Sequence, residues 1–176
     1  RDEVTRYMMA KHGLERNEVM AARAAKKAFE SEDNKDASGN PIKSEADFLA
    51  GYRERDFGGI TGLMEEDDLV IAEGLAHQLV SEFENNHDVD ELWARTNACT
   101  KATLEKTYKA GLLSKSGYDE ISSMYEYYIP LRGFDATTSD EVYSYVNHER
   151  SGFSTPLKKA EGRKSVADDP IATIAN

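Results

Sequence analysis

Apolar side chains recur at helical spacing along most of this chain. In residues 2–31, Val4, Tyr7 and Met8 share one helix face. Gly13 lies where the two halves of this stretch fall out of phase. The pattern therefore predicts either one long helix with a kink or brief break near Gly13, or two stacked helices.

The longest regular pattern runs from Leu69 to Phe83 and predicts a helix over about residues 65–86. A second pattern predicts a helix over about residues 89–110. Because only a few residues connect them, the two helices are expected to pack as an antiparallel hairpin.

Shorter patterns complete the predicted secondary structure. Residues 31–44 are polar and read as a loop, and Ser44 is expected to begin a helix that ends before Gly58. Further helices are predicted around Tyr118–Tyr125, ending before Pro130, and around 139–146. Because no stretch alternates like a strand, the fold class is predicted to be all-α. We expect an irregular multi-helix bundle over residues 1–150 and a basic, extended tail or linker over 151–176.

The charge of the chain is acidic but uneven. Its 22 basic and 33 acidic residues give a net charge of −11, which argues against a nucleic-acid surface over the whole domain. Residues 32–148 hold 10 basic and 24 acidic side chains, whereas the two ends are slightly basic. Possible contact with DNA is therefore assigned to the ends. In the tail it is assigned to four residues: Lys158, Lys159, Arg163 and Lys164.

Several sequence features bear on location and chemistry. The chain begins at Arg1 and not at a methionine, which favours a piece of a longer polypeptide followed by a further domain. The single cysteine, Cys99, falls in a helical pattern and is expected to be a small buried side chain. A cytoplasmic location without membrane contact is predicted, because no leader and no long apolar run occur. P-loop, zinc-protease and hydrolase signatures are missing, so no cofactor is expected and an enzyme is disfavoured.

The polar loop carries one pattern that is typical of calcium binding. Asn34, Asp36, Ser38 and Glu45 occupy the first, third, fifth and twelfth places of a twelve-residue stretch, as in an EF-hand loop. Pro41 and the asparagine at the first place depart from that motif. A flexible polar linker explains the same composition and is the preferred interpretation, so no metal site is assigned.

A polar cluster near the N-terminus is the most distinctive feature of the chain. His12, Glu15 and Arg16 share one helix face by their spacing of three and four, which suits either a catalytic histidine or an ordinary ion pair. The ion pair is favoured. Together with Asn17 and Arg132, these residues are expected to form an internal polar lock. Removal of one charged partner, as in Arg132→Ala, should then cost roughly 3–5 kcal/mol.

Three segments resemble large polyvalent proteins, which are long multidomain chains of phages and conjugative elements. Residues 7–17 (YMMAKHGLERN) are similar to their Tyr-x-x-Ala-Arg/Lys-His-x-x-Glu-Arg-Asn segment. Residues 127–134 (YYIPLRGF) resemble their Tyr-Val-Pro-Leu-Arg/Lys-Gly motif, and residues 160–170 resemble a following Gly-Arg-x-Ser stretch. The resemblance implies a helical region between domains such as helicases or DNA methylases, and it supplies no catalytic residue.

Three hypotheses follow from the sequence. The first is a non-catalytic helical scaffold or interaction module whose partners are other domains of the same long chain. The second is an accessory region that associates with nucleic acid through its basic ends. The third is an unrecognised enzyme that uses His12 with Glu15.

Overall fold

A computed structural model describes residues 3–130 of the chain, and within them the protein is an irregular bundle of α-helices without a β-strand. The all-α prediction is confirmed for this part. The predicted helix at 139–146 and the tail at 151–176 lie outside the described residues. The six helices are α1 (Glu3–Phe29), α2 (Glu45–Arg53), α3 (Ile60–Met64), α4 (Leu69–Asn86), α5 (Asp90–Lys109) and α6 (Lys115–Met124).

Helix α1 is continuous over 27 residues, so the break expected near Gly13 does not occur. Gly13 is needed for close packing. A methyl group added there would lie 2.9 Å from Leu63 Cδ1 in α3, and one added at Gly58 would lie 2.5 Å from the Gly13 carbonyl oxygen. Two glycines thus let the α2–α3 loop and α3 approach the backbone of α1.

Local hydrogen bonds set the helix starts. Ser44 begins α2, as the sequence predicts, and forms a capping box with Asp47. Asp68 caps α4 by accepting from the N–H groups of Val70 and Ile71, so residues 65–68 precede this helix and are not its first turn. The sequence misses α3, which begins where the Asp56 carboxylate accepts from the N–H groups of Ile60 and Thr61.

Helix α1 is the centre of the bundle and packs against α2, α3 and α4. Helices α4 and α5 follow one another and are joined by residues 87–89, as predicted, but they do not pack extensively on each other as an antiparallel hairpin would. Helix α4 packs on α1 and α3, and α5 packs on α6. The core is mainly apolar and is drawn from α1, α3, α4, α5 and the stretch after α6: Tyr7, Met8, Met9, Ala10, Ile60, Leu63, Ala72, Ala76, Val80, Phe83, Trp93 and Ile129.

Helix α5 buries less of its predicted apolar face than the sequence suggests. Trp93 and Thr96 are buried, but Cys99 is exposed, so its predicted burial is wrong. Cys99 lies six residues after Trp93, which is about 120° short of two full helical turns. Cys99 is thereby rotated off the face on which Trp93 lies.

Candidate functional site

Glu15 joins the N-terminal polar cluster to the stretch that follows α6. Its Oε1 accepts from the backbone N–H of Glu126 at 2.5 Å, and its Oε2 accepts from that of Tyr127 at 2.9 Å. One carboxylate therefore holds two consecutive peptide groups against α1. The two stretches that carry the first two motifs of the resemblance are in direct contact here.

His12 lies one helical turn before Glu15 and is 2% exposed. Its ring meets the rings of Tyr125 and Tyr128 edge to face, with centroids 5.1 and 5.5 Å away. The Glu15 carboxylate lies 4.0 Å from His12 Nδ1. Two tyrosines and one carboxylate therefore enclose the imidazole, an arrangement that favours a packing role for His12.

A groove between α5 and α6 opens beside these tyrosines. It has a volume of about 160 Å³, and Tyr125 and Tyr128 form one end of its wall. Thr100, Thr103 and Thr107 line it along α5, but each hydroxyl donates to the backbone carbonyl of the preceding turn. The groove consequently presents few polar groups that are free to orient a substrate.

Asn17 holds a different part of the fold. Its Oδ1 accepts from the backbone N–H groups of Phe57 and Gly58, at 2.5 and 3.0 Å, and its Nδ2 donates to Glu73 Oε1 at 3.1 Å. This one buried amide connects α1 to the α2–α3 loop and to α4. Positions 15 and 17 point about 200° apart on a helix. Asn17 therefore does not share a contact site with Glu15.

A third set of contacts surrounds Tyr7, which sequence reasoning assigned only to the apolar face. The Tyr7 hydroxyl donates to Glu84 Oε1 at 2.9 Å and accepts from Trp93 Nε1 at 2.9 Å. Lys11 Nζ lies 2.8 Å from the same Glu84 oxygen and 4.6 Å from the centre of the Tyr127 ring. This network joins α1, α4, α5 and the stretch after α6.

Burial and the hydrogen bonds and charges of this network shift the pKa values of Tyr7 and Glu84. Burial raises the pKa of the Tyr7 hydroxyl well above its usual range, and the carboxylate of Glu84 raises it further. Burial alone would also raise the pKa of Glu84. Hydrogen bonds from Lys11 and Tyr7 and the positive charge of Lys11 together outweigh burial, so the pKa of Glu84 is lowered. A tyrosine with a raised pKa is a poor proton donor at neutral pH, so the network is suited to holding helices together.

Of the two remaining members of the predicted lock, the structure describes Arg16 but not Arg132. Arg16 is half-buried. Burial raises the pKa of Tyr125 above its usual value, and the positive charge of Arg16 offsets part of this rise. Arg132 lies outside the described residues, and so do Lys158, Lys159, Arg163 and Lys164. The predicted pairing of Arg132 with α1 therefore stays a prediction.

Three of the six lysines and arginines of α1 lie beside acidic partners in the described part of the chain. Lys11 pairs with Glu84 and Arg23 pairs with Glu120, both at 2.8 Å, and Lys26 lies 4.0 Å from Glu30. Nearby carboxylates thus offset the positive charge at these three positions. A phosphate backbone would find little uncompensated charge at these positions.

The candidate calcium loop is organised by its own hydrogen bonds. The buried amide of Asn34 donates to the carbonyls of Phe29 and Lys43, and its Oδ1 accepts from the Lys43 N–H. Asp36 Oδ1 accepts from the N–H groups of Ser38 and Asn40. The side chains of Asn34 and Asp36 therefore stabilise a hairpin-like loop, whereas Ser38 and Glu45 are exposed. Within residues 3–130, no cluster of three histidine, cysteine or acidic side chains could hold a metal ion.

Comparison with protein-family models, with curated proteins and with solved structures found no match for this chain. The functional argument therefore depends on the contacts described above. The helices in the described part are too short or too polar to cross a lipid bilayer.

Proposed function

We propose that this chain is a non-catalytic helical scaffold within a large multidomain protein of a mobile genetic element, acting in the cytoplasm. Its partners are the other domains of the same long chain. One observation supports this proposal. Polar side chains from the segment of α1 that resembles the polyvalent-protein motif hold α1 against other parts of the fold. Glu15, Asn17 and Tyr7 each connect α1 to a different set of neighbours.

The distribution of these contacts supports a structural role. A catalytic cluster directs several polar groups toward one accessible point, where a reacting atom can lie. Here Glu15 and Asn17 point to opposite sides of α1, and His12 is covered by Tyr125 and Tyr128. The side chains thus diverge from the helix and stabilise it within the bundle.

Thermal unfolding of a His12→Asn variant, together with DNA-binding measurements on the parent chain, tests the proposal. A scaffold should show a lower melting temperature for His12→Asn, because the ring fills a closed space between two tyrosines. The parent chain should not shift the mobility of a DNA duplex in a gel at physiological salt. An unchanged melting temperature for His12→Asn would contradict the structural role.

Association with nucleic acid is the alternative that the gel shift addresses. Binding that weakens steeply with added salt would indicate phosphate contacts. Loss of that binding after replacement of Lys158, Lys159, Arg163 and Lys164 by alanine would assign it to the tail. That pair of results would favour an accessory nucleic-acid role over the scaffold.

A further inference from the structure

Helix α4 exposes an apolar patch, here called the α4 patch, that consists of Val70, Ile71 and Leu75. These side chains are 78%, 53% and 43% exposed, whereas Ala72 and Ala76 of the same helix are buried. Ile71 and Leu75 are one helical turn apart, so their side chains are adjacent on the surface. Val70 lies about 100° around the helix from Ile71, so it extends the apolar surface of Ile71 and Leu75 toward the acidic start of α4.

Acidic residues border this patch on one side. Glu65, Glu66, Asp67 and Asp68 directly precede α4, and three of them are exposed. Within residues 3–130, these four carboxylates form no ion pair with a lysine or arginine. The surface therefore combines apolar side chains with uncompensated negative charge, and its complement is an apolar and basic segment.

We propose that residues 151–165 of the same chain dock on the α4 patch. This segment contains four basic residues and one acidic residue, together with the apolar side chains of Phe153 and Leu157. The basic residues are Lys158, Lys159, Arg163 and Lys164. In the docked state Phe153 and Leu157 cover the α4 patch, and the basic side chains face residues 65–68.

The chain is long enough to make this contact. Ile129 is buried in the core cluster to which Phe83 of α4 also belongs, so the chain leaves the described part from this core. From Phe83 to Val70 the distance along α4 is about 20 Å at 1.5 Å per residue. Residues 131–152 span up to about 70 Å when extended. The tether therefore permits docking without strain.

A second copy of the chain fits the α4 patch less well. A two-fold dimer through this patch would bring two sets of residues 65–68 together, and like charges would oppose association. Three aliphatic side chains also provide far less area than a stable dimer interface needs. A tethered segment requires less area, because its effective concentration is high.

Carbodiimide cross-linking of the full chain tests the proposal, since this reagent joins a lysine to a carboxylate only when the two are in contact. The sample is an equal mixture of nitrogen-14 and nitrogen-15 protein, so mass spectrometry separates links within a chain from links between chains. We expect links within one chain between residues 65–68 and Lys158, Lys159 or Lys164.

The apolar part of the contact is tested by the double variant Ile71→Ser, Leu75→Ser, which leaves every charge in place. The yield of these links should fall about tenfold or more, the factor that burial of one aliphatic side chain supplies. Ile42→Ser is the matched control, because Ile42 is 61% exposed and lies in the polar loop. It should leave the yield unchanged.

Three results would overturn the proposal. Links of mixed isotope composition would show that the α4 patch binds a second copy. Absence of links in the parent chain, or links unaffected by the double variant, would show that residues 151–165 do not dock there. Circular dichroism tests whether the double variant is folded. If the double variant is unfolded, the single variant Val70→Ser is used in its place. Each of these results leaves the proposed scaffold role standing, since that role depends on buried contacts of α1.

Discussion

The Glu15 carboxylate accepts a hydrogen bond from the backbone N–H of Tyr127, 112 residues further along the chain, at a distance of 2.9 Å. The other oxygen of Glu15 accepts from the neighbouring N–H of Glu126. A charged acceptor for two peptide groups fixes the path of the chain after α6. That path then places Tyr127 against Trp93 and buries Ile129 in the core.

Replacement of Glu15 by glutamine should lower the free energy of unfolding by about 1–3 kcal/mol. Glutamine has one accepting oxygen, and its amide nitrogen would face a backbone N–H that also donates. One of the two hydrogen bonds is therefore lost. Urea denaturation monitored by circular dichroism measures the change.

Glu91→Gln is the matched control for this substitution. Glu91 is exposed and pairs with Arg95 one turn along α5, a contact that contributes little to stability. Its replacement should change the free energy of unfolding by less than about 0.5 kcal/mol. Equal effects of the two substitutions would contradict the anchoring role of Glu15.

Close approach of the α2–α3 loop to α1 gives a second prediction. Gly58→Ala should destabilise the protein by about 1–3 kcal/mol, because the new methyl group would meet the Gly13 carbonyl oxygen at 2.5 Å. Gly13→Ala should be milder, since its methyl group meets the flexible end of the Leu63 side chain. Thermal melting of both variants distinguishes these effects.

Gly74→Ala serves as the control for both glycine substitutions. Gly74 lies in α4 with open space beside it, so alanine adds helix propensity without a clash. The free energy of unfolding of the Gly74→Ala variant should exceed that of the parent chain by about 0.5–1 kcal/mol. A Gly58→Ala variant as stable as the parent chain would show that the loop does not press on α1.

Asn17 gives a third prediction. Asn17→Ala should lower the free energy of unfolding by about 1–3 kcal/mol, because the N–H groups of Phe57 and Gly58 lose their acceptor near the core. Asn86→Ala is the comparison, since Asn86 is exposed at the end of α4 and its side chain donates to the Glu82 carbonyl of its own helix. Hydrogen exchange at Gly58 should also accelerate in Asn17→Ala. Unchanged exchange would mean that the amide does not hold the loop.

Local patterns predicted most of the secondary structure, because a helix face and a cap depend on residues within a few positions of one another. The start of α2 at Ser44 is such a case. Helix α3 was missed, since it depends on Asp56 and on two close-packed glycines that carry no apolar pattern. At the candidate site, the spacing of His12 and Glu15 predicted their proximity. It could not predict the partners of Glu15, which come from the other end of the described chain.

The hydroxyl of Tyr7 gives the last prediction, which concerns alkaline pH. The pKa of Tyr7 is raised in the folded protein, so above about pH 10 the unfolded chain loses this proton while the folded chain keeps it. The contribution of Tyr7 is thus complete below pH 10 and is lost as the pH rises, by up to about 1.4 kcal/mol per pH unit. Tyr7→Phe should lower stability at pH 7, because Trp93 Nε1 loses its acceptor, and should flatten the decline above pH 10. Urea denaturation of both proteins between pH 7 and 11 measures the two slopes, and parallel slopes would show that Tyr7 does not control this dependence.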